Sequence, residues 1–301
     1  ARRVLRAASI FGETFWLGGV RALLVGTRQS EDIEGLLRGL VQREILEERS
    51  ESRFPSAIEY HLRHARVRDA AYGLLTDEDR RLGHHLAGEY LERMGESDAA
   101  VLAEHAFRGG QTEIAIPHFV RAAEQALDGN DLAAALQRVE KGIAANAQGE
   151  ALGALLSIRA AAHLWRSELA DAYKAGTAAV ALLPQGSRRW CKSMLTLFVV
   201  TTYLGNKDHF NQLVDIFREI TPAAESIVAY TEAAAWLVLI ASFLGRHELG
   251  LHFLNRMRRA SSEVAHDDVA IRGWLDYAHA VFSHWVENDM WQKRALAQAA
   301  I

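Results

Sequence analysis

The sequence predicts an all-α protein: an α-solenoid of antiparallel helix pairs, preceded by a small domain of three helices and one β-hairpin. Three observations carry this. Only Pro55, Pro117, Pro184 and Pro222 interrupt 301 residues, so long helices are open almost everywhere. Alternating β-branched runs, the mark of half-buried strands, are nearly absent outside the first quarter. From Ser97 onward, turn residues followed by helices rich in small side chains recur at a nearly constant interval.

Taken in order, the first elements are helices over residues 4–10 and 17–25, separated by "FGETF". The stretch "DIEGLLRGLVQREIL" (32–46) follows, with Ile33, Leu36, Leu37, Leu40 and Val41 at helical spacing. In "ILEERSESRFPSAIEYHLRH", two short extended stretches near 45–49 and 58–62 flank a polar turn containing Pro55. Three helices and then a hairpin are the layout of a winged helix, so residues 1–63 read as a winged-helix-like domain. A two-helix connector (64–97) comes next. Its first helix has a stripe of Val67, Ala70, Ala71, Leu74 and Leu75, with Arg66, Arg68, Asp69 and Gly73 opposite and Asp69 placed to suit the helix dipole. Its second helix starts at "TDED", where Thr76 or Asp77 can cap, and its stripe is Leu82, Leu86, Tyr90, Leu91 and Met94.

Residues 98–301 carry the recurring pattern: "RGGQTEIAIPHFVRAA", "WRSELADAYKAGTAAV", "YLGNKDHFNQLVDIF", "FLGRHELGLHFLNRM" and "WVENDMWQKRALAQA". With Arg166, Gly205, Gly245 and Glu287 as equivalent turn positions, the intervals are 39, 40 and 42 residues, each holding two antiparallel helices. A single pair cannot bury both of its apolar faces, so neighbours must stack. These units resemble tetratricopeptide repeats. Leu102-Ala103, Gly110, Ala115, Phe119 and Ala122 stand at that family's small, large and turn positions, and Ala160, Ala172, Ala179 and Pro184 do so two units on. Later units carry Phe210 or Gly250 in place of the small alanine. Of the tryptophans Trp165, Trp190, Trp236, Trp274, Trp285 and Trp291, most are expected in the core, and an exposed one would mark a binding face.

Composition narrows the function. Half the residues are hydrophobic and 24% charged, ordinary values for a globular chain, and the length calls for more than one domain. A net charge of −4 supplies no pull toward nucleic acid or an anionic membrane. The single cysteine, Cys191, excludes an internal disulfide framework and a Cys-based zinc site, and fits a cytoplasmic protein. The longest apolar run (233–244) falls short of the roughly 18 residues of a membrane span and reads as a buried helix. No signal peptide is visible. The absence of an initiator Met and an end inside a helical pattern suggest a piece of a longer protein.

Catalytic motifs were sought and not found: Gly-Lys never occurs, so there is no phosphate-cradling loop, and H-R-D, D-F-G, H-E-x-x-H and G-x-S-x-G are missing too. No metal site is expected. His84 and His85 diverge by about 100° on a helix, and His105 and His247 are each flanked by a glutamate on a diverging side. Arg80 and Arg81 with Arg66 and Arg68 form a candidate phosphate patch, but Asp69, Asp77, Glu78 and Asp79 sit among them, which favours a solvated face. The third helix of a winged helix can read DNA, yet Arg38, Gln42 and Arg43 face Glu31, Asp32, Glu34 and Glu44.

One resemblance is specific. The run "FGETF…LLRGLVQREILEERSESRF…EYHLRHARVRDAAYGLLTDEDRRLGHHLAGEYLE…AEHAFRGGQTEIAIPHFVRAAEQAL" resembles the region after the nucleotide-binding module of bacterial STAND-type ATPases, which are often fused to a serine/threonine kinase or nucleotide cyclase. "RHARVRDAA" also resembles the Met-His-Asp-Leu-Val-Arg-Asp signature that ends the winged helix of plant immune receptors. In those families the signature histidine touches the phosphate of bound ADP and holds the resting state. That role would fall to His64 alone, with Arg63 and Ala65 where the family has Met and Asp.

The expectation is therefore a non-catalytic regulatory arm of a larger signalling ATPase or kinase. It would bind a protein or peptide on its repeats and pack on an upstream module, with ATP or ADP bound there and no cofactor in this stretch. The alternative is a transcription regulator that uses the winged helix on DNA and the repeats as its effector domain.

Overall fold

The computed structural model describes residues 1–24, 32–262 and 268–287, which are mostly helical with one small antiparallel sheet. They form two compact units, residues 1–122 with 144–146, and residues 123–143 with 147 onward.

The first unit runs α1 (Arg2–Phe11), β1 (Thr14–Trp16), α2 (Leu17–Leu24), α3 (Ile33–Gln42), β2 (Leu46–Glu48), β3 (Glu59–Leu62), α4 (Ala65–Gly73), α5 (Asp77–Arg93) and α6 (Ala99–Arg108), and enters α7 (Thr112–Asp128). The expected hairpin is present as β2 and β3. A third strand, β1, lies where "FGETF" was expected to be only a connection. It pairs antiparallel with β3, giving the order β1-β3-β2. The reason is packing: a two-stranded hairpin is marginal alone, and β3 buries side chains on both faces. Phe15 lies opposite Tyr60 with stacked rings 5.7 Å apart, both fully buried with Val4, Leu37 and Leu46. One position on, Trp16 lies opposite Glu59 and donates its indole N–H to that carboxylate at 3.1 Å. Helix α3 starts where Asp32 accepts from the Gly35 amide, and it ends before Glu44, whose φ of 57° turns the chain into β2.

Helices α4 and α5 pack differently from the expected stripes. On α4 only Ala71 is buried; Ala70 is exposed, and Leu74, beyond the helix end, is 65% exposed. A nine-residue helix resting on α1 covers too narrow a strip to bury five positions. Asp69 sits past the first turn of α4, out of range of its dipole, and pairs instead with Arg68, which also reaches Glu13 at 3.0 Å. On α5 the buried face is Gly83, His84, Ala87, Tyr90 and Leu91, while Leu82 is 56% exposed. The helix is turned because Gly83 admits Ile10 so closely that a Cβ would lie 2.8 Å from the Ile10 Cδ1.

The N-terminus of α5 is closed by Thr76, not Asp77, in a reciprocal capping box with Asp79. Replacing Thr76 by Ala should therefore destabilise the protein by about 1 kcal/mol in urea denaturation. Asp77→Ala, which removes only an exposed pair with Arg80, should stay within about 0.5 kcal/mol.

The second unit contains the end of α7, then α8 (Leu132–Ala144), α9 (Gly149–Trp165), α10 (Leu169–Leu182), α11 (Arg188–Tyr203), α12 (Lys207–Glu219), a 3-10 turn (Ala224–Ser226), α13 (Ile227–Phe243), α14 (His247–Ser262), α15 (Val269–Phe282) and a π turn (Ser283–Glu287). Helix α9 packs on α10, α10 on α11 and α11 on α12, and α13 packs on α11, α14 and α15. The remainder of the last expected unit, with Trp291, lies outside the described residues.

One turn geometry recurs. After α6, α7, α9, α11 and α13 a residue with positive φ (Gly110, Asn130, Ser167, Gly205 and Gly245) lets the next amide bond five residues back. These bonds run Gln111 to Ala106, Asp131 to Ala126, Glu168 to His163, Asn206 to Thr201 and Arg246 to Ala241, at 2.7–2.9 Å. Such closure satisfies carbonyls that a helix end leaves orphaned. It also corrects the expected turn at Arg166: the left-handed residue is Ser167, which makes the interval to Gly205 38 residues.

The core of this unit is aromatic. Phe217 is fully buried, with Tyr230 5.0 Å, Phe198 5.4 Å, Phe253 5.7 Å and Trp190 6.1 Å from its ring. Trp236 and Trp274 are half-buried and pack against this core, as expected, whereas Trp165 and Trp285 are 71% and 45% exposed. Trp165 shares its exposure with Tyr203 and Phe243, each two residues before a left-handed turn, where a side chain leaves the helix bundle. Helix α13 includes most of the long apolar run. Residues 224–243 are long and apolar enough to cross a bilayer by composition, but 72% of that window is buried among neighbouring helices. Cys191 lies in the same core, fully buried, and burial pushes its thiol up to about 12.

Candidate functional site

A cleft lies in the second unit where α12, α13 and α14 meet. It has two lobes, of about 680 and 700 Å³, and Arg218 and His252 line both. Three elements supply its charge. Arg218 ends α12, and α14 contributes His252, Arg256 and Arg259, which stand at i, i+4 and i+7 on one helical face. Arg246 and His247 open α14 in the other lobe, where the first-turn amides have no carbonyl within their own helix. Against these stand Glu219 and Glu248.

Packing below the cleft holds the cations. Arg256 donates to the Ile220 carbonyl at 2.5 Å and lies over the Tyr230 ring at 6.0 Å. Arg246 donates to Asn211 at 2.8 Å and lies over Phe210 at 5.8 Å. Burial and the nearby Arg218, Arg256 and Arg259 hold the His252 imidazole below its ordinary pKa, with Glu219 opposing. Burial raises the Tyr230 phenol, partly offset by Arg256. Among the described residues nine buried side-chain polar atoms lack a hydrogen-bond partner, and four of them belong to this cleft: Arg218 Nε, Tyr230 Oη, His247 Nδ1 and His252 Nε2. Buried polar groups left unpaired are costly, so their concentration here is informative. No sequence motif marks the cleft, because its charges come from separate helices. The one legible signal was the all-basic spacing of 252, 256 and 259.

His64 occupies the N-cap position of α4, directly after β3, with extended backbone. Its ring is exposed and makes no capping bond. Two of the four arginines expected to form a phosphate patch near it are engaged locally, Arg68 with Glu13 and Asp69 and Arg80 with Asp77 and over the Tyr72 ring at 5.0 Å, while Arg66 and Arg81 are exposed.

A second polar constellation lies inside the first unit. His84 and His85 do diverge, His85 pairing with Glu89, but His84 points inward and meets His105 with their Nδ1 atoms 3.1 Å apart. The Tyr72 hydroxyl lies 2.9 Å from His84 Nε2 and also bonds Arg108. A relay in which the Tyr72 hydroxyl accepts from Arg108 and donates to His84 Nε2, while His84 Nδ1–H donates to His105, satisfies all three contacts with both rings neutral. Burial lowers His84 to about 3 and His105 to about 4, with Arg108 adding to both and each histidine bearing on the other. Among the described residues no three His, Cys, Asp or Glu side chains gather as a metal set.

Compared with family profiles, curated proteins and solved structures, the chain matches none.

Proposed function

We propose that this chain is a regulatory arm: a winged-helix-like domain, a two-helix connector and a tetratricopeptide-like solenoid whose surface binds a protein or peptide. In this reading it is non-catalytic and cytoplasmic, and packs through its N-terminal domain on an upstream nucleotide-binding module. Ligand capture on the repeats would shift the balance between a docked and a released arm, and nucleotide exchange would follow.

The observation that carries the reading is the spacing of the left-handed turns at Asn130, Ser167, Gly205 and Gly245, 37, 38 and 40 residues apart, with α9, α10 and α11 each packed on the next helix, which supports repeated units that stack on their neighbours. The strand order β1-β3-β2, with its helices interleaved, supports the winged-helix-like assignment. His64, exposed where β3 meets α4, is free to contact a neighbouring domain.

The test begins with the gene upstream of Ala1. The reading calls for a continuous frame encoding a G-x-x-x-x-G-K-[ST] motif; a start codon just before Ala1 would sink the ATPase part of it. In the longer protein, His64→Ala should speed release of bound ADP by about tenfold, the worth of one charge-assisted hydrogen bond. Thermal stability should stay unchanged, since the ring is exposed. ADP release at the wild-type rate would remove His64 from the switch.

A further inference from the structure

We infer that the cleft of α12, α13 and α14 binds a phosphate-bearing side chain on a segment of a partner polypeptide. The inference rests on the reading of the repeats as a ligand-binding arm and names the chemistry that the arm selects.

Charge is the first argument. Residues 123–301 carry 17 basic and 19 acidic side chains, so the unit as a whole is slightly acidic. Within the cleft the balance reverses, with four arginines against two glutamates. Positive charge confined to a concavity on an otherwise acidic surface focuses the field on a small anion and gives a long polyanion no track to follow. This favours a short phosphorylated segment over nucleic acid.

Unspent hydrogen-bonding capacity is the second argument. Tyr230 is fully buried in the floor of one lobe, and its hydroxyl has no partner among the described residues. His252 Nε2 and Arg218 Nε, on residues that line both lobes, are unpartnered as well. A phosphate offers three acceptor oxygens. It can take a donor from Arg218, from Arg256 and from the Tyr230 hydroxyl on separate oxygens, and it brings nearly twice the charge of a carboxylate, whose two oxygens would have to share the three donors. Arginine clusters recognise phosphorylated motifs by this means.

Size and lining are the third argument. Two lobes of about 700 Å³ hold far more than one phosphate, and Pro222, Ile227 and Leu249 line them with apolar surface. Such walls suit the side chains that flank a modified residue in a peptide.

The experiment uses the whole chain with isotope-labelled histidine rings, observed by NMR. Inorganic phosphate is titrated first, then two resin-bound degenerate peptide libraries that differ only in a fixed phosphoserine or serine, and finally an oligouridine. Phosphate should shift the His252 ring saturably and raise the pH at which it titrates, because a bound dianion favours the imidazolium. Arg256→Gln and Arg218→Gln should each weaken phosphate binding by about tenfold. Tyr230→Phe, which keeps the ring in the core, should weaken it by about threefold. The phosphoserine library should be retained about tenfold over the serine library. No saturable shift with millimolar phosphate would overturn the inference. Equal retention of both libraries would overturn it as well but leave the binding-arm reading standing. Phosphate binding with neither library retained would remove the polypeptide partner and that reading together. Preference for oligouridine would replace the partner with a nucleic acid.

Discussion

Taking the protein from about pH 7.5 to about pH 5.5 is expected to loosen the first unit by about 3 kcal/mol. The cause is the buried pair His84 and His105, whose folded-state pKa values lie near 3 and 4, while an unfolded chain titrates near 6.5. Between those limits the unfolded chain binds protons that the folded one refuses. The stability the neutral rings supply is complete above about pH 6.5 and drains away as pH falls toward the folded values. At one unit below 6.5 each ring costs about 1.4 kcal/mol, hence the sum. Hydrogen exchange read by segment is the right probe, since α5 and α6 belong to one unit. After correction for intrinsic rates, their protection should fall about a hundredfold. His105→Gln, which keeps donors and acceptors but does not titrate, should about halve the exponent. Protection independent of pH would mean that the rings are reachable by water.

Phe217→Ala is expected to cost the second unit about 3–5 kcal/mol, the usual range for emptying a ring from a packed core. Four aromatic rings lean on Phe217, and truncation opens a space that α11, α12, α13 and α14 all border. They cannot close it without moving their backbones. The check is urea unfolding followed by circular dichroism, with Phe217→Leu as the smaller excision at about 1–2 kcal/mol. The same substitution carries a second expectation: Tyr230 stacks on Phe217, so the floor of the basic cleft should lose its shape with the core. A Phe217→Ala protein as stable as the parent would show that the ring cluster does not bear on folding.

How far the sequence foretold this structure depends on the range of the interaction. Helix spans were legible because they follow from spacing within one segment, and Leu102, Ala103, Ala115, Phe119 and Ala122 are all buried as their positions implied. Strand β1 was not legible. Three residues, Thr14 to Trp16, are too few to show alternation, and what makes them a strand is a partner 43 to 47 positions away. The face of α5 was misread for a related reason. A stripe drawn through Leu82 and Leu86 follows hydrophobicity alone, while the helix turns to satisfy the close fit of Gly83 on Ile10 and the bonds of His84 to Tyr72 and His105. The tryptophans mislead in the opposite sense: an indole promises burial, but Trp165 sits just ahead of a left-handed turn, where the helix surface faces outward.

The lone thiol in the aromatic core has a practical use. Because Cys191 is enclosed and held as the protonated thiol, an alkylating reagent can reach it only when the second unit opens, and the labelling rate at saturating reagent becomes a clock for that opening. Acid reports on the first unit through its histidines. Alkylation reports on the second through its cysteine, so the two halves of one polypeptide can be timed separately without adding a probe to either.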